Sequence, residues 1–422
     1  MKILWLSNIV FPEVCSKLGI TPPVIGGWMQ SGAKSLIKEN SDIKLAVASL
    51  YQGNELLTIK DFSILYYLIP NKKGYQKYDS ELEKYFSQIE KEFDPDIIHI
   101  HGSEYPHSLA CAKACSTKRI VVSIQGLVSS YSRYYLGGIP ISEVKKFRTL
   151  RDLIRHDDLI TQQKKMQQRG IYEKELLQIV PHIIGRTSWD KANTWAINPK
   201  AQYHFCNETL RPTFYKTKWT YESCNKHTIF LSQGNYPIKG LQQVLHALPL
   251  ILEHYSDTKV LVAGNNFINQ KSYRLNGFAN YIKHLIRIYK IQKHIQFLGL
   301  LDEDQMAMQY TKAHIFICPS SIENSPNSVG EAQLVGTPCL ASYTGGTMDM
   351  ISDGKTGFLY RFEETSMLAQ KICNLFGNEN LCKEISLQER EAARIRHDQK
   401  QNAMQLNKIY QSILNHDNLF SL

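Results

Sequence analysis

No Cys-x-x-Cys pair occurs among the nine cysteines of this 422-residue chain. Its absence removes the commonest zinc and dithiol signatures and suits a reducing compartment, so Cys318 and Cys339 read as small buried hydrophobes. Long apolar runs are missing too. FSILYYLIP, from Phe62, is among the longest and falls well short of the roughly 20 residues a membrane-spanning helix needs. The opening MKILWLSNIVFPE carries one lysine, and Ser7, Asn8 and Pro12 interrupt its apolar stretch; a first strand is expected here instead of a signal peptide. The expected location is therefore cytoplasmic, with peripheral attachment at the inner face of a membrane as an extension. There is no internal repeat at solenoid periods and no nucleic-acid recognition module, so nucleic acid is not an expected partner. No acidic cluster forms a convincing metal site either, because the DED at 302–304 is more simply the polar start of a helix.

What is present is enough chain for two hydrophobic cores. With 43% apolar and 21% charged residues the composition is that of an ordinary globular protein. The formal net charge of +10 is unevenly spread. Between Lys145 and Arg169 eight Lys/Arg face three Asp/Glu, and between Lys271 and Lys293 there are six Lys/Arg and no acid. The second stretch, YRLNGFANYIKHLIRIYKIQKH, repeats apolar residues at helical spacing (Ile282, Leu285, Ile286, Tyr289) and predicts a helix with a basic outer face. That face is either a solvated surface or a contact for an anionic membrane or a phosphate-bearing acceptor.

Short Ile/Val-rich segments with little alternation (KILWLSNIV, DIKLAVASL, DIIHIHG, RIVVSIQG) predict parallel strands covered on both sides. A second series follows the polar passage Tyr215–Lys226: HTIFLSQGN, KVLVAGNN, IQFLGLL, AHIFICPS, TPCLASYTG and TGFLY. Both series alternate with helices, which predicts two Rossmann-like, doubly wound α/β domains. The expected boundaries are 1–215 for the first domain and 220–399 for the second. A C-terminal helix at about 400–422 is expected to pack back on the first. In SSIENSPNSVGEAQLVGTPCLASYTGG, Ser325 is expected to cap a helix that starts at Pro326. Glu323 then lies in the strand-to-helix loop and Glu331 one to two turns inside the helix. Both lie toward the carboxyl end of the sheet, where open α/β folds bind ligands.

The composite PSSIENSPNSVGEAQLVGTPCLASYTGGTMDMISDGKTGFLY resembles the signature of the retaining, nucleotide-sugar-dependent glycosyltransferases of family 4. It has Glu, seven residues, Glu, then Gly-Thr-Pro, a Gly-Gly loop and Asp-Gly-x-Thr-Gly. The combination SIQG, GRTSWD and NETLRPTFY is similar to a bacterial subgroup associated with surface polysaccharides. The resemblance implies the GT-B fold, two domains facing each other across a cleft. It implies that Glu331 grips the ribose hydroxyls, Glu323 lies near donor-sugar hydroxyls, and Lys239 stabilises the leaving diphosphate; a carboxylate accepts two hydroxyl hydrogen bonds well. Gly26 and Gly27 from one domain and Gly345 and Gly346 from the other would let backbone approach the phosphates. Asn327 and Ser328, at the start of the helix that carries Glu331, belong to the same expected nucleotide site.

Two departures stand out. Gly234 and Asn235 occupy the place where the family commonly has an arginine before Lys-Gly, which makes Arg186 the candidate replacement. Gln125 stands where many members carry a histidine; it can bond a sugar hydroxyl but carries no proton at neutral pH. His101 and His107 read as core or loop histidines. The implied activity is metal-independent hexosyl or N-acetylhexosaminyl transfer with retention, by front-face attack. The donor is expected to be a UDP-sugar, with no other cofactor, and the acceptor a saccharide or lipid-linked saccharide in O-antigen, capsule or exopolysaccharide assembly. A nucleotide-sugar epimerase and an idle sugar-nucleotide or glycan-binding protein are the alternatives.

Overall fold

Residues 1–23, 26–116 and 119–419 are described by the computed structural model. They divide into two compact units. One comprises Met1–Ser130, Lys165–Leu210 and His397–Leu422, the other Tyr131–Lys164 and Arg211–Arg396.

The first unit is built on eight strands: β1 (Lys2–Ser7), β2 (Lys44–Tyr51), β3 (Leu57–Asp61), β4 (Ile64–Pro70), β5 (Ile97–His101), β6 (Ile120–Ser123), β7 (His182–Gly185) and β8 (Gln202–Phe205). Their order is β3-β4-β2-β1-β5-β6-β7-β8, and every pairing is parallel except β3 with β4. Successive strand residues point to opposite faces. In β1, Ile3 and Trp5 enter one buried cluster while Leu4 and Leu6 enter the other. A strand covered on both sides has no polar face to alternate with, hence the unbroken apolar reading of KILWL.

The helix Gln399–Leu419 covers the Ile3–Trp5 side by contributing Ile409, Tyr410 and Ile413 to its core. Residues 420–422, the end of the expected C-terminal helix, lie outside the described residues. The buried Tyr410 hydroxyl accepts from Trp5 Nε1 at 2.9 Å and lies 2.6 Å from His99 Nδ1. Tyr410→Phe, which leaves both ring nitrogens short of a partner, is expected to cost about 1–2 kcal/mol, read as a lower denaturation midpoint.

The second unit holds β9 (Thr228–Leu231), β10 (Lys259–Ala263), β11 (Ile295–Gly299), β12 (Ile315–Cys318), β13 (Cys339–Ser342) and β14 (Phe358–Tyr360). The sheet is parallel, in the order β11-β10-β9-β12-β13-β14. The stretch 131–164, which the sequence pattern assigns to the first domain, clusters with this unit instead. Specific bonds hold it there. Gln242 Nε2 donates to Gly137 O at 2.7 Å, Ser321 Oγ to Tyr134 O at 3.0 Å, and the Gly277 amide to Asp152 Oδ2 at 2.8 Å. The basic stretch 145–169 forms the end of Ile141–Lys146, then Leu150–Arg155 and the start of Leu159–Ile179.

Asp302 caps the helix Glu303–Lys312 through a capping box with Gln305. The DED sequence is thus a helix start. The cap expected at Ser325 is displaced: the helix begins at Asn327 with Pro326 in the cap position, and Ser325 Oγ lies 3.5 Å from Met350 Sδ. Proline has no amide to lose and φ near −65°, so it serves as the extended residue before the first turn. Among the described residues no helix is long and apolar enough to cross a membrane.

Candidate active site

The carboxyl ends of β9, β12 and β13 lead to four of the residues singled out from sequence, Lys239, Glu323, Gly345 and Gly346. Leaving β9, the chain forms a 3-10 turn, Pro237–Lys239, closed by Gly240 at φ +72°. A β-carbon on Gly240 would fall 1.7 Å from Pro319 O. Only glycine therefore lets the Lys239 turn lie against the end of β12. The Ser321 amide donates to Ile238 O at 2.8 Å and fixes the two loops together. Lys239 Nζ then sits 2.5 Å from Glu323 Oε1, and Ser320 Oγ donates to the same oxygen at 2.8 Å. Glu323 is 7% exposed. Burial alone would lower the Lys239 pKa, but the Glu323 carboxylate beside it raises it well above the ordinary lysine value.

Gly345 and Gly346 seat this pair. Gly345 has φ +54°, and a β-carbon on it would lie 1.9 Å from Glu323 O. The Gly346 amide donates to the same carbonyl at 3.0 Å, so that amide is already engaged. Gly345→Ala is expected to cost about 2 kcal/mol, since it adds the left-handed backbone penalty and a displaced Glu323; a thermal midpoint equal to the parent's would refute it.

Glu331, on the helix Asn327–Val335, has separate partners. Its Oε1 accepts from Arg211 Nη2 at 2.8 Å and Nε at 3.2 Å, and Tyr310 OH lies 3.4 Å from Oε2. Burial raises the Glu331 carboxyl above its ordinary value, against the lowering effects of Arg211 and Tyr310. Arg211 itself is pushed down by burial and, on balance, up by Glu331. Asn327 and Ser328 are the first two residues of this helix, whose leading amides have no acceptor within the helix. Arg211, Tyr310 and Ser320 escaped the sequence reading. Arg211 stands in the quoted NETLRPTFY, yet nothing local links it to a carboxylate 120 positions later.

In the first unit, Gln125 follows β6 and Arg186 follows β7. Arg186 Nη2 donates to Gln125 Oε1 at 2.9 Å, and Arg186 Nη1 forms an ion pair with Glu208. Gln125 Nε2, Arg186 Nε and both ring nitrogens of His101 are buried without hydrogen-bond partners among the described residues. His101 is stacked on His99 at 3.8 Å. Its pKa falls well below the usual histidine value through burial, then through His99 and Arg186. Gly26 has φ +78° and precedes the helix Gly27–Glu39. Gly234, where the family's arginine is expected, is closely packed: a β-carbon there would meet Val262 and Leu241 at 3.0–3.1 Å. Among the described residues no group of three or more His, Cys, Asp or Glu is arranged to hold a metal ion.

Residues 216–392 match the family model of the glycosyl transferases group 1. That segment holds Lys239, Glu323, Glu331, Gly345 and Gly346. Spore coat protein SA of Bacillus subtilis is 31% identical over 144 residues, 33% of this chain and 37% of that protein. N-acetyl-alpha-D-glucosaminyl L-malate synthase of Bacillus anthracis is 22% identical across 95% of this chain and 98% of its own. The first curated relatives are matched over 37% to 48% of their own length, so the chain spans half of them or less. HepE of Anabaena, solved with UDP and glucose, superposes with a TM-score of 0.67 at 15% identity, covering 98% of this chain and all of that one. The architecture of two Rossmann-like α/β domains is the GT-B fold.

Proposed function

We propose that the chain is a retaining glycosyltransferase of family 4 that moves a hexose or N-acetylhexosamine from a UDP-sugar to a saccharide or lipid-linked saccharide in surface-polysaccharide assembly. The observation that carries this reading is the buried Lys239–Glu323 pair at the carboxyl end of a parallel sheet, within the segment matched by the family model. Lys239 meets the diphosphate, where negative charge grows as the glycosidic bond to phosphate breaks. Glu323 keeps its second oxygen for a hydroxyl of the donor sugar. Glu331 offers Oε2, which the Tyr310 hydroxyl approaches at 3.4 Å, to the ribose diol while Arg211 holds Oε1. The leading amides at Asn327 and Ser328 point helix-dipole charge at phosphate oxygens. Gln125 meets a sugar hydroxyl, Arg186 is the candidate cation for the phosphates in place of the family's arginine, and Gly26 and Gly27 allow close backbone approach. UDP as the donor nucleotide is supported by its presence in the HepE structure.

Titration calorimetry with UDP, GDP, ADP and CMP, first without and then with Mg²⁺, tests the reading. The expected result is metal-independent binding of UDP in preference to the others. No binding of any nucleotide would overturn it.

A further inference from the structure

The helix Leu150–Arg155 is turned inside out. Leu150, Leu153 and Ile154, spaced i, i+3 and i+4 on one helix face, are 78%, 43% and 79% exposed, while Asp152 is fully buried. Large aliphatic side chains gathered on an exposed face mark a contact surface. The helix is clamped in this orientation. Thr149 and Asp152 form a capping box, Asp152 Oδ2 accepts from the Gly277 amide at 2.8 Å, and Arg151 bridges Asp152 at 3.1 Å and Asp157 at 2.9 Å. The adjoining 3-10 turn Ser272–Arg274 packs against it and presents Tyr273, 65% exposed.

Basic residues predominate near this apolar patch, and the one acid of the preceding helix Ile141–Lys146, Glu143, is paired with Lys146 at 3.3 Å. The three acids of the segment are taken up locally, Asp152 and Asp157 as above and Asp158 by Arg148 at 3.0 Å. Lys145 lies on the helix Ile141–Lys146, Arg155 on Leu150–Arg155, Lys271 just before the 3-10 turn and Arg274 within it. The neighbouring helix Gly277–Ile288 adds Lys283 and Arg287, which line a recess of about 790 Å³ with Phe147 and Phe297 and with no acidic residue in its wall.

We propose that this face of the second unit docks on an anionic lipid bilayer. Leu150, Leu153, Ile154 and Tyr273 enter the interfacial layer, the surrounding cations meet head-group phosphates, and the Lys283–Arg287 recess takes one of those phosphates. A second copy of the chain is the poorer occupant, because a two-fold contact would set this cationic rim against itself.

Sedimentation of the full chain with vesicles tests the proposal without relying on turnover or on the donor assignment. Binding is expected to mixed phosphatidylglycerol and phosphatidylcholine vesicles, not to phosphatidylcholine alone, and is expected to fall as salt is raised. Leu150→Asp with Ile154→Asp is expected to weaken that binding about tenfold or more. Leu150→Trp supplies a second readout, an emission that shifts to the blue with the mixed vesicles by more than the parent's does. The proposal is overturned if the parent chain ignores anionic vesicles, if the aspartate pair binds as the parent does, or if the Leu150→Trp variant shows no such added shift. Conversion of a dimer to a monomer by the aspartate pair, seen by light scattering, would equally assign the face to a second copy.

Discussion

Lys239→Ala is expected to slow sugar transfer by about 10²–10³-fold, the scale on which removing a single preorganised donor to a developing anion is felt. Stability should drop in the same variant. Lys239 is the cation against Glu323, which is 7% exposed, and deleting one member of a buried pair costs about 3–5 kcal/mol by leaving the other uncompensated. The two effects separate in Lys239→Ala with Glu323→Gln, where the orphaned charge is gone. That double variant is expected to regain most of the lost denaturation midpoint and none of the rate. A pH profile adds a constraint. Because the folded Lys239 pKa is raised, its contribution to stability is complete below the unfolded value of about 10.4 and is lost only as pH climbs through the higher folded value. No alkaline loss of rate below about pH 10 should therefore come from this residue. A full-rate Lys239→Ala enzyme would remove the diphosphate role.

The parts of the molecule legible in sequence are those set by local rules. Buried parallel strands show as apolar runs because both faces of β1 and β5 are covered. The Glu323 loop and the Glu331 helix follow from strand, turn and helix signals within a few residues. What escaped lies at long range. Strand β3, whose exposure alternates along LTIKD on the antiparallel edge of the sheet, has too short a pattern to stand out. The attachment of 131–164 to the second unit rests on bonds such as Gln242 to Gly137 O, between residues 105 positions apart, and no periodicity encodes them. The basic helical stretch was visible as charge, but its outward-facing Leu150 and Ile154 were not, because a clamp on Asp152 sets that orientation. The glycine pair at 345 and 346 was legible as a turn. Its contact with Glu323 O required coordinates.

Arg211→Ala is the complementary experiment at the nucleotide end. It leaves Glu331 buried with the Tyr310 hydroxyl as its remaining side-chain hydrogen-bond partner among the described residues, so unfolding free energy is expected to fall by about 3–5 kcal/mol. UDP affinity should fall by about 1.5–3 kcal/mol, since the carboxylate proposed to accept the ribose hydroxyls loses its orientation. Glu331→Ala should weaken UDP binding by a similar amount, and the double variant by little more than either, because both act through one carboxylate. Burial raises the Glu331 carboxyl above its ordinary value even with Arg211 in place. Its contribution is therefore present below the unfolded glutamate pKa and lost as pH rises through the folded one, so the ionised form at neutral pH is a net cost. Replacing both partners with apolar groups of similar size, Arg211→Met with Glu331→Leu, is accordingly expected to fold at least as stably as the parent and to bind UDP no better than Glu331→Ala. A double replacement that unfolds would show the pair to be structural. One that keeps full UDP affinity would detach Glu331 from the ribose.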